Sequence, residues 1–294
     1  MLGKILAPQN RLTLILVSSL VVVLGSGFFA WQAFANKPRV YPTVEASVDF
    51  DPEGLYALLV PRRDGNAIVL NLKRVSSYED ISYELAYTAE NDSKETLDRG
   101  VTGTLDTQDK KNEYTQEILF GTCSKGDTFS TTSCVFDKNV ANGTLLLKFK
   151  RVDKKEKVTK VYNLNTAWKL QRPDISLGTI TSADEHFTFK TEALREDLSI
   201  VGFSIVNELS GVPKLPKGKS ILGKVYAFNI PTAKEISSGT VIIETADVPN
   251  ESMKIFKYTE KENSWKELKT QIVDGKLTAQ TDGAGIFAVL VDSK

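Results

Sequence analysis

Across 294 residues, 37 Lys and Arg balance 37 Asp and Glu, so no net field draws this chain to nucleic acid. With 41% hydrophobic and 25% charged residues, the composition is that of a folded globular protein and excludes a disordered one. The first element in chain order is an apolar run from Leu12 to Phe34, preceded by a short cytoplasmic basic stretch, residues 1–11, with Lys4 and Arg11. Roughly 20 apolar residues, each rising about 1.5 Å in a helix, cross the ~30 Å hydrocarbon core of a bilayer.

Residues 12–35 support two readings. A secretory signal would have the basic n-region, the apolar stretch, the helix-loosening Ser26 and Gly27, and an A-x-A cleavage site at Ala33 and Ala35. A retained anchor would explain an apolar core longer than the usual 7–15 residues of a signal, with Trp31 where an interfacial aromatic sits. Both export everything from Asn36 onward. The expected address is therefore the cell envelope, as a single-pass protein with an exported C-terminal ectodomain, or secreted after cleavage at Ala35. The membrane is the one partner that the segment itself implies.

Residues 36–44, with Pro38 and Pro42, read as an extended spacer. An acidic cluster follows at Asp49, Asp51 and Glu53, a candidate calcium site because hard oxygens at alternate positions suit Ca²⁺. It lacks the full EF-hand spacing, and such clusters are usually just solvated. No other metal site and no cofactor is expected.

The first domain, residues 45–171, is strand-like throughout. Ile68, Leu70 and Leu72 alternate within Ala67 to Val75, and Ile81, Tyr83, Leu85 and Tyr87 repeat the pattern. Tyr114 to Phe120, Cys134 to Phe136, Thr144 to Phe149 and Val158 to Leu164 continue it. Asp64-Gly65-Asn66, Asn91-Asp92-Ser93 and Asn142-Gly143 supply turn chemistry between them. Cys123 and Cys134, the only cysteines, flank ten turn-rich residues and predict a disulfide in an oxidising compartment. Closing so short a loop contributes somewhat under ~3 kcal/mol. From Lys148 to Lys160 the chain is rich in Lys and Arg interleaved with Asp153 and Glu156, as in a charged hairpin tip, with an anionic wall polymer as the alternative partner.

The second domain, residues 172–294, opens after Gln171-Arg172-Pro173-Asp174. Strands are predicted at Ile175 to Thr181, Phe187 to Lys190, Ile200 to Val206, Lys224 to Ile230 and Gly239 to Thr245. Further strands follow at Lys254 to Tyr258, Trp265 to Lys269, Lys276 to Thr281 and Ile286 to Val291. Asp274-Gly275 is a tight-hairpin signal, because a type I′ turn needs positive φ at both positions. The fold class is thus an all-β ectodomain of two tandem antiparallel sandwiches behind one N-terminal helix.

Phe120-Gly121-Thr122-Cys123-Ser124 followed by Cys134 and a Leu-rich strand, together with Tyr83 to Tyr87 and Arg99 to Gly103, resembles a motif of uncharacterised bacterial envelope proteins. Those carry a signal or anchor before Ig-like sandwiches. The second half is similar to terminal sandwich modules of surface proteins, in which a Tyr-bearing strand, a turn, a Trp and a closing Gly-Ile-Phe-Ala-Val strand follow one another. The resemblance implies a fold and an address, and no activity.

Catalytic chemistry is hard to build from these residues. His186, the only histidine, sits in Ser182-Ala183-Asp184-Glu185-His186 and reads as a solvated strand end. No nucleophile elbow, zinc-protease, P-loop or dinucleotide motif occurs. The chain therefore reads as a non-catalytic surface protein with a structural, adhesion or partner-binding role. One alternative is a carbohydrate- or wall-polymer-binding module with Trp168, Trp265 and tyrosines as a stacking platform. A cell-wall glycoside hydrolase would instead need two carboxylates facing each other across a cleft.

Overall fold

The computed structural model describes residues 41–45, 54–90, 93–125, 132–172, 178–191, 202–207, 209, 211–231 and 238–293. The segment Leu12–Phe34, the cleavage site at Ala33 and Ala35, and the acidic cluster Asp49, Asp51 and Glu53 lie outside them. Among the described residues there is no helix, hence none long and apolar enough to cross a membrane.

Ten strands make up the first half: β1 (Thr43–Glu45), β2 (Tyr56–Pro61), β3 (Ala67–Lys73), β4 (Glu79–Glu90), β5 (Thr96–Thr104), β6 (Glu113–Leu119), β7 (Gly121–Lys125), β8 (Thr132–Phe136), β9 (Asn142–Asp153) and β10 (Val158–Gln171). The second half adds β11 (Thr179–Thr181), β12 (Phe187–Thr191), β13 (Phe203–Val206), β14 (Lys219–Asn229), β15 (Gly239–Ile243), β16 (Lys254–Thr259), β17 (Ser264–Glu267), β18 (Thr270–Val273), β19 (Lys276–Thr281) and β20 (Gly285–Asp292). The all-β expectation holds. The predicted alternation on β4 is the observed one, with Ile81, Tyr83, Leu85, Tyr87 and Ala89 buried and the residues between them turned outward. Asp274 and Gly275 both have positive φ, 50° and 74°, in the turn joining β18 to β19.

Several strands lie where the sequence predicts none, and one expected turn is a strand instead. β2 replaces what alternation alone passed over: Tyr56 to Leu59 are all buried, so no polar residue marks the strand. β5 is polar and glycine-bearing, and β18 is only four residues long. Asn142-Gly143 is the start of β9 and not a turn. Gly143 pairs with Tyr87 on one side and Trp168 on the other. A Cβ there would lie 2.0 Å from the Ala86 carbonyl oxygen and 2.8 Å from the Trp168 ring. Glycine is required at this position by close approach of the neighbouring strand and not by backbone curvature.

The strands assemble into a ten-stranded sheet in the order β17-β16-β20-β14-β13-β10-β9-β4-β5, with β1 added in parallel to β10. Sheets of three (β2-β3-β6), five (β11-β12-β15-β19-β18) and two strands (β7-β8) complete the fold. The large sheet crosses the expected boundary: β10 pairs with β9 along most of its length and with β13 through Trp168 to Gln171. The two halves therefore share one sheet, and Thr43–Lys294 is one compact unit.

Period-two alternation explains how the layers stack. On β14 and β20, Val225, Ala227, Ile286, Ala288 and Leu290 enter one core, while Tyr226, Phe228, Phe287 and Val289 enter another. The first core is closed by the three-stranded sheet, with the Ser204 hydroxyl donating to the Leu59 carbonyl and the Arg74 guanidinium to that of Val212. The second is closed by the five-stranded sheet through Phe187, Phe189, Val241 and Leu277. Trp168, fully buried, stacks on Phe120 at 6.0 Å in the first core. Replacing Gly143 by Ala should lower stability by about 1–3 kcal/mol, the range for overpacking a filled site, read as a fall in the urea midpoint at unchanged slope.

Candidate binding face

The five-stranded sheet covers only the β13-β14-β20-β16 part of the large sheet's second face. Over β5, β4 and β9 the same face meets solvent. Ser82 and Glu84 point outward there because Ile81, Tyr83 and Leu85 point inward. The register sets Thr104, Ser82 and Lys148 in one cross-strand row and Thr102, Glu84 and Leu146 in the next. These six residues, with Tyr83 and Gly103, line a shallow groove of about 310 Å³.

Beneath the groove, on the inner face of the sheet, one side chain is missing. Gly103 lies opposite Tyr83, whose ring occupies the place of a side chain: a Cβ on Gly103 would sit 2.4 Å from the Tyr83 hydroxyl. On the outer face three hydroxyls, one carboxylate and one ammonium surround the side chain of Leu146. Such a set offers paired donors and acceptors to a polyhydroxylated or zwitterionic ligand.

The Ser182-Asp184-His186 cluster is committed to the fold. Between β11 and β12, Ser182 donates to Asp184 Oδ1 at 2.5 Å and accepts from the Phe187 N–H at 3.0 Å. The His186 ring faces Glu244 instead, at 4.0 Å. The Ser-Asp-His spacing therefore closes a turn and does not assemble a triad. Lys224 reaches Asp184 Oδ2 at 3.2 Å from a bulge in β14 at Gly223, and Tyr226 donates to the same oxygen at 3.1 Å. Burial alone would raise the Asp184 pKa, but the bonds from Ser182, Lys224, the His186 backbone and Tyr226 outweigh it and hold it below the usual carboxylate value.

Two further networks join distant parts of the chain. Tyr56 donates to Glu260 at 2.7 Å, and Lys73 pairs with Glu260 at 3.2 Å and Glu113 at 2.9 Å. Burial, then the bond to Glu260, raises the Tyr56 pKa far above that of a free phenol. Asp137 accepts from Tyr87 at 2.8 Å and from Arg99 at 2.8 Å. Neither network could be read from the sequence, since Tyr56 and Glu260 lie 204 residues apart.

Cys123 and Cys134 face each other across β7 and β8 in a disulfide with Cα atoms 4.1 Å apart. The basic run forms the β9–β10 hairpin, where Lys150 pairs with Asp80 and Lys160 with Asp153 and Glu156, while Lys148 alone of these three reaches the groove. The stacking platform expected from tryptophans does not form from Trp168, which is core, and Trp265 is half-buried against Tyr258. Among the described residues no cluster of three or more His, Cys, Asp or Glu is placed to hold a metal ion. No protein-family model, curated protein or solved structure matches this chain.

A carboxylate with a depressed folded pKa stabilises the fold above its unfolded value, about 3.9, and that contribution is lost as pH falls through the lower folded value. Asp184→Asn should accordingly be less stable than the parent at pH 7, with the gap closing below about pH 4. Urea midpoints of both proteins from pH 7 to pH 2 would measure it; a pH-independent gap would contradict this role for Asp184.

Proposed function

We propose that the protein is a non-catalytic, extracytoplasmic component of the cell envelope that works by binding a partner on the open face of its large sheet. The observation that carries this reading is the asymmetry of cover: half of one sheet face is packed under a second sheet, while the other half presents a hydroxyl-lined groove with a single carboxylate and a single ammonium. The apolar run Leu12–Phe34 and the Cys123–Cys134 pair support an exported location. The resemblance to envelope proteins with Ig-like domains agrees with that location, and membrane attachment through the N-terminal segment is part of the proposal.

A second reading, a module for wall polysaccharide, draws on the groove itself. Thr102, Thr104 and Ser82 match the hydrogen-bonding of a sugar chain, and Leu146 supplies apolar carbon beside them. A glycoside hydrolase fits less well, since Glu84 is the only carboxylate lining the groove.

Full-length protein in mild detergent, titrated with purified wall polysaccharide and separately with wall-depleted envelope proteins, would separate the two partners. The double variant Glu84→Gln, Lys148→Met should bind at least tenfold more weakly, a loss of about 1.4 kcal/mol, with an unchanged urea midpoint. Equal binding by parent and variant would remove the groove from the proposal. Edman sequencing of the native chain settles the address: Met1 in the membrane fraction supports an anchor, and Asn36 in the soluble fraction supports a cleaved signal.

A further inference from the structure

The large sheet ends at β5, and this edge differs from the others. β17 and β18 have four residues each and β11 has three. β6 is longer, but it carries the carboxylates Glu113 and Glu117, paired with Lys73 on the adjacent strand β3 and with Arg62 just after β2. β5 runs nine residues, Thr96–Thr104, with no proline, no lysine and no bulge against β4; of its two charged residues, Arg99 is held by Asp137 and Asp98 stands exposed on the outer face. Among the described residues its pairing is with β4 alone. Edges of this length are normally blunted by one of those devices, because their free N–H and C=O groups template another strand.

We infer that β5 pairs antiparallel with β5 of a second copy of this chain, about a two-fold axis through Val101. A two-fold perpendicular to the sheet keeps like faces together, so only residues on the same face can stand opposite one another. On the inner face this register sets Val101 against Val101, Leu97 against Leu105, and Arg99 against Gly103 of the other copy. On the outer face it sets Asp98 against Thr104 and Gly100 against Thr102.

Charge and apolar matching select this register over those centred on Arg99 and Gly100. Moving the axis to Arg99 places two guanidinium groups directly opposite, a destabilising arrangement. Moving it to Gly100 sets Leu97 against Gly103 and leaves its apolar side chain without an apolar opposite. The Val101 axis avoids like charges and pairs apolar with apolar. Leu97, 39% exposed in the single chain, is covered in the pair. Arg99 stays bound to Asp137 at 2.8 Å and faces no other cation. Thr102, Gly103 and Thr104 line the groove, so the two copies carry their grooves side by side on one continuous sheet face.

Cross-strand cysteines in the full-length chain, in membranes or mild detergent, test both the contact and its register. Asp98→Cys and Thr104→Cys are exposed substitutions that leave the core untouched. Directly opposite positions lie within disulfide reach, whereas positions six residues out of register do not. Under mild oxidation, a mixture of Asp98→Cys and Thr104→Cys chains should give a reducible covalent dimer at least tenfold above either variant alone. Val101→Cys, which sits on the axis, should form a dimer by itself, and Thr102→Cys should not. Absence of dimer from the mixture and from Val101→Cys would overturn the proposal. Equal cross-linking of all four variants would overturn it as well, because that is the behaviour of random collision.

Discussion

Four strands near the middle of the large sheet, β13, β14, β20 and β16, carry apolar side chains on both faces, and the layers around them exist to cover those two faces. A strand buried on one side needs one partner layer; these need two. The three-stranded sheet closes one face and the five-stranded sheet the other, so neither half of the chain completes its core without strands from the shared sheet. At about 25 cal/mol per Å² of apolar surface, uncovering either face would cost far more than a typical domain's net stability. Lys257 shows how strict this is. Its side chain is 4% exposed and lies over the Phe287 ring, and its ammonium reaches the protein's edge to meet the exposed Asp282 at 2.5 Å. That bond holds the Asp282 pKa below its ordinary value.

Strands with one wet face were legible in the sequence because alternation marks them, and Ile81 to Tyr87 is the clear case. The doubly buried strands were legible for a different reason. Gly285 to Val291 is too apolar and too short to be anything but a buried strand once a helix is excluded. β2 has the same character, yet its apolar residues show no period-two alternation to distinguish it from the rest of the segment that follows Asp51-Pro52-Glu53-Gly54. The shared sheet was not legible. Pro173 marks a local end of β10, but whether β10 then pairs with β13 depends on contacts between residues some 35 positions apart. Glycine misled at Gly143 for a related reason: a turn and a tight approach to Trp168 both require a missing Cβ, and only the position of the neighbouring strand distinguishes them.

The candidate site was legible only in part. Lys148 fell inside the basic run and Tyr83 inside an alternating strand, but Glu84 carried no signal, since an outward Glu on a strand is the commonest solvated residue. What makes Glu84 part of a site is its register against Thr102 and Leu146, a property of three strands together. The residues that did attract attention by spacing, Ser182, Asp184 and His186, turned out to hold a turn and to receive Lys224 from a bulge.

The strand that forms one side of the groove is also the edge of the large sheet. Tyr83 lies over Gly103, so a strand with little side chain of its own is held by a ring from its neighbour. On the other face of the same strand, Thr102 and Thr104 line the groove beside residues of β4 and β9. At the edge, β5 presents its backbone with little side-chain bulk in the way. A protein that needed only solubility would fill this edge with lysines, as it fills the β9–β10 hairpin. The chain places its lysines one hairpin away and keeps them off β5, which is the pattern expected where both the face and the edge are kept clear for contact.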